Sequence, residues 1–306
     1  TITIDGVNDA PTARPDTFST DEETVLSGLD LFANNGGGAD SDPDISDVLN
    51  VTQVNGEATD VGSQITLASG ALLTVNLDGT ASYDPNGAFN GLSAGVTAND
   101  SFTYQVSDGN GGTDTATATV IITGVNDDPD AVDDGLNVAV DAALSGNVLT
   151  DNGNGADSDV DTNDTLSVIA LNGSTTALGT ATTLASGANV TLNADGTFDY
   201  DQNGAFSGLG AGDTAKDTFS YTISDGNGGT DTATVTITIG GSNLPPVAVD
   251  DTFATDEDTA FTTGSVLAND TDANNDILAV AALDTTGTIG LVTDNGDGTF
   301  DIRYND

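Results

Sequence analysis

The sequence predicts an all-β fold, a tandem array of antiparallel β-sandwiches. Three observations carry this. The stretch Ser107–Thr123, SDGNGGTDTATATVIIT, returns as Ser224–Ile239, SDGNGGTDTATVTITI, and from Asp108 to Asp225 the offset is 117 residues, so the chain repeats one unit. Within that stretch Ala116, Ala118, Val120 and Ile122 alternate with Thr115, Thr117 and Thr119, the period of a half-buried strand rich in β-branched residues. Asp-Gly pairs at 78–79 and 195–196, and the glycine-rich loop 108–112, mark hairpins, while no stretch has helical amphipathicity.

Taken in order, Thr1–Ile4 matches the tail Thr236–Ile239, so residues 1–7 are expected to be the last strand of a preceding module. Linkers at Asn8-Asp-Ala-Pro11, Asn126-Asp-Asp-Pro129 and Gly240-Gly-Ser-Asn-Leu-Pro-Pro246 divide the chain. The expected organisation is 1–9 as strand and linker, 10–125 and 126–242 as complete modules, and 243–306 as the first part of a third. The chain reads as a window of a longer protein. Tyr104 and Tyr221, early in the penultimate strand, resemble the tyrosine corner of sandwich folds and are expected, with Asp100 and Asp217, to hold the fold. Phe89, Phe102, Phe206 and Phe219 are expected in the core, which is thin because aromatics make up only 5% of the chain.

Composition excludes several classes of function. Of 306 residues, 49 are acidic and 3 basic, a formal charge of −46 that repels nucleic acid and anionic membranes and attracts divalent cations. Without Cys or His, zinc, copper and iron sites built from those ligands are impossible. No apolar run approaches the ~20 residues of a membrane-spanning helix, so direct membrane insertion is not expected. An enzyme is disfavoured, because the acidic residues lie in repeated loops without His, Cys or an aromatic subsite.

Acidic residues recur in three spaced runs: Asp40, Asp42, Asp44 and Asp47; Asp157, Asp159, Asp161 and Asp164; Asp270, Asp272, Asn274 and Asp276. Oxygen ligands at alternate positions can converge on one hard cation, and Ca²⁺ tolerates several carboxylates in loose geometry. A solvated acidic turn is the competing reading. More candidate ligands sit at the linkers: Asp9, Asp16 and Glu22; Asn126, Asp127 and Asp134; Asp251 and Glu257. Asp108 and Asp225, in the glycine-rich loops, read equally as ligands or as plain turn residues.

Asn8-Asp-Ala-Pro11, Asp21-Glu-Glu-Thr24, Leu67-Ala-Ser-Gly-Ala71, Tyr83-Asp-Pro-Asn-Gly-Ala-Phe89 and Asp108-Gly-Asn-Gly-Gly112 together resemble the VCBS repeat family, cadherin-like modules of large bacterial RTX-type surface adhesins. The resemblance implies an immunoglobulin- or cadherin-like sandwich in an elongated array, calcium near the junctions, type I secretion, and a location on the bacterial cell surface. It implies an extender that projects a distal adhesive domain for adhesion or biofilm formation, with neighbouring modules of the same chain as its partners and the adhesive target bound by other domains. The alternative is a module that itself binds carbohydrate or protein. Two departures bear on the junctions. Val140, followed by Asp141, stands where Glu22 and Glu257 stand, so the site between the first and second modules is expected to be altered; Leu244 stands where Asp9 and Asp127 stand, so the third linker is expected to bind fewer ions.

Overall fold

The computed structural model describes residues 2, 6–256, 259–288 and 290–303. The strand expected over residues 1–7 and the candidate ligand Glu257 fall largely or wholly outside these. Among the described residues the only helical element is a single 3-10 turn, Ala58–Asp60. The chain divides into two compact units. One comprises Thr1–Asp130 with the segments Ser158–Ser167 and Ile223–Asp231; the other comprises Ala131–Asp157, Val168–Thr222 and Thr232–Asp306. Two loops of the second sequence repeat thus belong to the first unit.

The first repeat builds eight strands: β1 (Asp16–Asp21), β2 (Leu26–Asp30), β3 (Asn50–Val54), β4 (Gln64–Thr66), β5 (Leu72–Val75), β6 (Thr80–Asp84), β7 (Thr97–Ser107) and β8 (Thr113–Thr123). They form two sheets, ordered β1-β8-β7-β3 and β2-β6-β5-β4. Alternate residues of β3, β7 and β8 (Val51, Phe102, Tyr104, Val106, Val120, Ile122) and of β5 and β6 (Leu73, Val75, Ala81, Tyr83) point into one shared core. This is the period-2 pattern of two facing sheets. Phe89 packs against that core from the side.

One pairing of this first repeat departs from the antiparallel expectation. β1 runs parallel to β8, with Asp16 opposite Ala118 and Asp21 opposite Thr123. A hairpin forces antiparallel pairing, but these strands are the first and last of the repeat and no short turn constrains their direction.

The second repeat gives β9 (Asp134–Ala139), β10 (Leu144–Asn147), β11 (Ser167–Leu171), β12 (Thr182–Thr183), β13 (Asn189–Leu192), β14 (Thr197–Asp201), β15 (Thr214–Ser224) and β16 (Thr230–Gly240). The sheet orders, β11-β15-β16-β9 and β10-β14-β13-β12, repeat those of the first. Phe198 of β14 meets Phe219 of β15 edge-on at 5.8 Å, joining the two sheets through the core. β17 (Phe261–Thr262), β18 (Leu291–Asp294) and β19 (Phe300–Arg303) form a further three-stranded sheet in the order β17-β19-β18.

The offset between repeats is 118 residues from Asp16 to Asp134 and 117 from Asp40 to Asp157. The extra residue of the first repeat is Gly28, which bulges β2 between Ser27 and Leu29 with φ of 69°. In the second repeat Gly146 pairs in register with Phe198, and a Cβ there would lie 2.8 Å from that ring. The bulge and the small residue thus solve the same packing problem opposite Ala81 and Phe198.

Buried tyrosine hydroxyls pin each sandwich. Tyr83 donates to Asp100 at 2.9 Å and Tyr200 to Asp217 at 2.7 Å. The Tyr104 hydroxyl lies 2.7 Å from Asp16 Oδ2 and 3.3 Å from Asp40 Oδ2, and Tyr221 lies 3.0 Å from Asp157 Oδ2. Burial, and then the neighbouring carboxylates, raise the pKa of all four tyrosines, so each stays a donor. Burial likewise pushes Asp40 up to about 6, with Asp16 adding to the effect. Tyr104→Phe removes the donor between two buried carboxylates. It is expected to cost roughly 2–3 kcal/mol, read as a lower urea midpoint with unchanged m-value.

Candidate metal centres

The acidic runs do not act as single clusters. Their first carboxylates turn inward: Asp40 accepts the Arg14 amide at 2.6 Å, Asp157 accepts that of Val132 at 2.7 Å, and Asp270 accepts that of Val249 at 2.8 Å. Asp16 accepts from Asn35 and Asp134 from Asn152, at 3.0 and 2.8 Å. Asp16, Asp40, Asp134 and Asp157 therefore surround the Tyr104 and Tyr221 hydroxyls as acceptors within the fold, while the later carboxylates of each run face elsewhere.

The later residues of the second run converge in the first unit. Oxygens of Glu22, Asp127 and Asp161 lie within 4.8 Å of one another, as do oxygens of Asp159, Asp161 and Asp164, so Asp161 belongs to both triplets. Local geometry builds this. Asp159 accepts the Asp161 amide at 2.8 Å through Oδ1, and Asp161 accepts the Asp127 amide at 3.0 Å through Oδ2. Glu22 accepts the Val125 amide at 2.8 Å through Oε1. In each case one oxygen holds a backbone N–H and the other has no partner. The unpartnered buried atoms are Glu22 Oε2, Asp127 Oδ2, Asp159 Oδ2, Asp161 Oδ1 and the amide oxygen of Asn126.

Glu22 and Asp161 are each only 2% exposed. Burial raises the pKa values of Glu22, Asp159 and Asp161, and repulsion from neighbouring carboxylates adds to this. Buried polar atoms are normally satisfied. Several unsatisfied carboxylate oxygens facing one another make a candidate site for a hard cation, and an all-oxygen donor set fits Ca²⁺.

Asp225 borders this site in a different role. Its Oδ1 accepts the amides of Asn227, Gly228 and Gly229, and Oδ2 takes the Asn126 carboxamide at 2.7 Å. Burial opposes its charge, but these hydrogen bonds outweigh burial and lower its pKa. The loop is fixed by the same geometry: a Cβ on Gly229 would lie 2.2 Å from Asp225 Oδ2.

The residues at the start of the chain repeat the pattern. Asp42, Asp47 and Asp108 form a triplet, and Asp42 Oδ2 and Asp47 Oδ2 are unpartnered. Asp44 accepts the Asp9 amide at 2.8 Å, and Asp108 takes the Asn8 carboxamide at 2.8 Å. At the third linker Asp272 accepts the Asn274 amide at 2.8 Å and the Asp276 amide at 3.2 Å. Asp251 is exposed, and no triplet forms there among the described residues.

The sequence pattern did not reveal how the second-repeat loop is seated. Thr162 Oγ1 donates to the Gly91 carbonyl at 3.0 Å, and the Asn163 amide donates to Ser93 Oγ at 3.3 Å. The only sequence signal for this contact is the small residue at Gly91, where a Cβ would lie 3.3 Å from Thr162.

Residues 8–124 and 126–241 each match the bacterial cadherin-like domain, and residues 242–304 match a cadherin-like domain. The chain belongs to the bacterial cadherin-like domain family. The fold of this cadherin-like chain is similar to that of human CDH23 EC21-23, at 14% identity and TM-score 0.54, covering 95% of this chain and 92% of that one. It is similar also to the protocadherin gammaB4 extracellular domain, at 13% identity and TM-score 0.52, covering 99% of this chain and 46% of that one. The chain spans about half the length of protocadherin gamma B2 extracellular cadherin domains 1–5, covering 98% of this chain and 53% of that one at 12% identity and TM-score 0.48. No curated protein matches the sequence.

Asp134 supplies a pH test separate from the triplets. Burial, and then the charge of Asp157, push it up to about 6. A carboxyl whose folded pKa lies above its unfolded value contributes stability below the unfolded pKa and loses it as pH rises through about 6. In the presence of a chelator, Asp134→Asn is therefore expected to gain less melting temperature than wild type on going from pH 7 to pH 5. Equal gains would show that Asp134 does not titrate in this window.

Proposed function

We propose that this chain is a calcium-stiffened extender segment of a large secreted bacterial surface protein, a spacer of the VCBS and RTX-adhesin type that carries a distal binding domain away from the cell. The observation that supports it most is Asp161. It comes from the second repeat, is shared by both triplets, and stands beside Glu22 of the first repeat and Asp127 of the linker. A site whose ligands come from two repeats and their linker couples cation binding to the geometry of the joint.

Bound there, calcium supplies the positive charge that the unpartnered oxygens lack. The chain's own residues do the rest. Asp127 and Asp161 are tied by the linker amide, and Asn126 and Asp225 fix the linker to the glycine-rich loop. Gly124 lets the chain pass close to the preceding loop, since a Cβ there would lie 2.1 Å from the Leu92 carbonyl. Without the cation, mutual repulsion among the carboxylates opposes the docked arrangement. With it, ligand that binds only the docked state stabilises that state by mass action. At extracellular millimolar calcium, sites with Kd of ~10⁻⁴–10⁻³ M are substantially filled. The absence of His, Cys and any aromatic platform agrees with a structural role. The modules are taken as 10–125, 126–242 and the segment from 243.

Calcium titration of the whole chain is expected to raise the melting temperature and lengthen the maximum dimension seen by small-angle scattering. An unchanged scattering profile between chelator and calcium would remove the extender reading. Asp161→Asn is expected to weaken calcium binding by roughly tenfold or more, because ligand charge sets affinity in such sites. The same variant in chelator is expected to melt higher than wild type, since it relieves repulsion.

A further inference from the structure

The joint between the second and third repeats differs from the first at each position of the Glu22–Asp127–Asp161 triplet. Val140 replaces Glu22, Leu244 replaces Asp127, and Asn274 replaces Asp161. The backbone is nevertheless kept. The Leu244 amide donates to Asn274 Oδ1 at 2.7 Å, as the Asp127 amide donates to Asp161 Oδ2 at 3.0 Å. The Val140 amide donates to the Gly240 carbonyl at 2.8 Å, as the Glu22 amide donates to Thr123 at 3.2 Å. Gly241 makes the same close approach as Gly124, with a Cβ position 2.2 Å from the Gly210 carbonyl.

The decisive difference is one atom. Asp161 Oδ1 is buried without a partner. The matching atom of Asn274 is Nδ2, and it donates to the Leu209 carbonyl at 3.0 Å. The Leu244 N–H can bond only to an acceptor, so the carboxamide oxygen faces it and the NH₂ must face Leu209. The amide thus makes two direct hydrogen bonds where the first joint leaves a bare carboxylate oxygen. Val140, expected from the sequence to alter the site between the first and second modules, lies instead at this later joint; it is 7% exposed and offers no ligand atom. Its turn is closed instead by the Gln202 carboxamide, which donates to the carbonyls of Ala139 at 2.8 Å and Ala142 at 2.9 Å. Gln202 accepts the Asp141 amide at 3.1 Å, and it stands where the first repeat has Pro85, which has no such donors. Pro245 and Pro246 restrict the linker backbone without any ion.

We propose that the second joint is a calcium-independent joint, in which the Asn274 carboxamide takes the place of the carboxylate and cation of the first. The residues there do not fit the ion that joins the first pair of repeats. A calcium-dependent joint is therefore followed along this chain by a calcium-independent one, and changes in calcium act on the first and leave the second unchanged.

Amide hydrogen exchange on the whole chain, in calcium and in chelator, tests this with Asp127 and Leu244 as the two reporters. Leu244 is expected to exchange at the same rate in both conditions and about fivefold faster in Asn274→Ala, which removes its acceptor. The variant Val140→Glu with Leu244→Asp and Asn274→Asp is expected to make linker 240–246 depend on calcium for its protection. A Leu244 rate that slows severalfold on adding calcium to the wild type would overturn the proposal, as would an unchanged rate in Asn274→Ala. The calcium reading of the first joint is judged separately, by Asp127: if only Asp127 fails to respond, that reading falls and this one stands.

Discussion

The structure turns on what happens to the second oxygen of each buried carboxylate. In every acidic run the chain satisfies one oxygen with a backbone amide, as Asp159 does with Asp161 and Asp161 with Asp127. Where the second oxygen meets a tyrosine hydroxyl, as Asp16 does at 2.7 Å, the carboxylate becomes part of the sandwich. Where it meets nothing, as at Asp161 Oδ1, it faces neighbouring carboxylates in a candidate cation site. The same residue type therefore serves two ends, and the partner of a single atom separates them. Leaving a buried carboxylate oxygen bare costs more than the net gain of an ordinary hydrogen bond, so a group of such atoms facing one another, as at Glu22, Asp127 and Asp161, calls for a compensating charge.

The thin core gives this weight. Each sandwich rests on a few large side chains, Tyr83, Phe102 and Tyr104 in the first and Phe198, Tyr200, Phe219 and Tyr221 in the second. At roughly 1.5–3 kcal/mol for each buried large apolar side chain, such cores leave modest margins. Carboxylates crowded together as Glu22, Asp127 and Asp161 are repel one another and work against those margins.

Much of this was legible in the sequence. The repeat, the alternation in β8 and the Asp-Gly turns gave the strands and their facing sheets, and the match of residues 8–241 to one domain family agrees with them. The parallel pairing of β1 with β8 was not legible, because strand direction at a sheet edge leaves no local pattern. The acidic runs were read as units, but their alternate spacing does not send every side chain to one point. Asp40 and Asp157 precede the bridging residues Ser41 and Ser158 and face the tyrosines, whereas Asp159, Asp161 and Asp164 come after Ser158. Nothing in the spacing distinguishes these, since the deciding partners, Tyr104 and Tyr221, lie 64 residues further on. Asp108 and Asp225, read equally as turn and ligand, stand as turn residues that hold four or more hydrogen bonds each beside the clusters, and Asp108 belongs to one of the triplets.

The comparison of Asp161 with Asn274 shows how little is needed to change the chemistry of a joint. Carboxylate and carboxamide have the same shape, so exchanging them leaves the linker hydrogen bond and the close glycine approach in place. What changes is whether the outer atom is a charged acceptor or a neutral donor. In the proposed reading a charged acceptor buried beside Glu22 and Asp127 takes a cation, whereas a neutral donor beside the Leu209 carbonyl does not, because it already occupies that acceptor. Val140 and Leu244 remove the other two charges of the triplet, and an acid kept at the buried position of Val140 would be an unpaired buried carboxylate. The three substitutions are therefore coupled by electrostatics, and each makes sense only in the company of the other two.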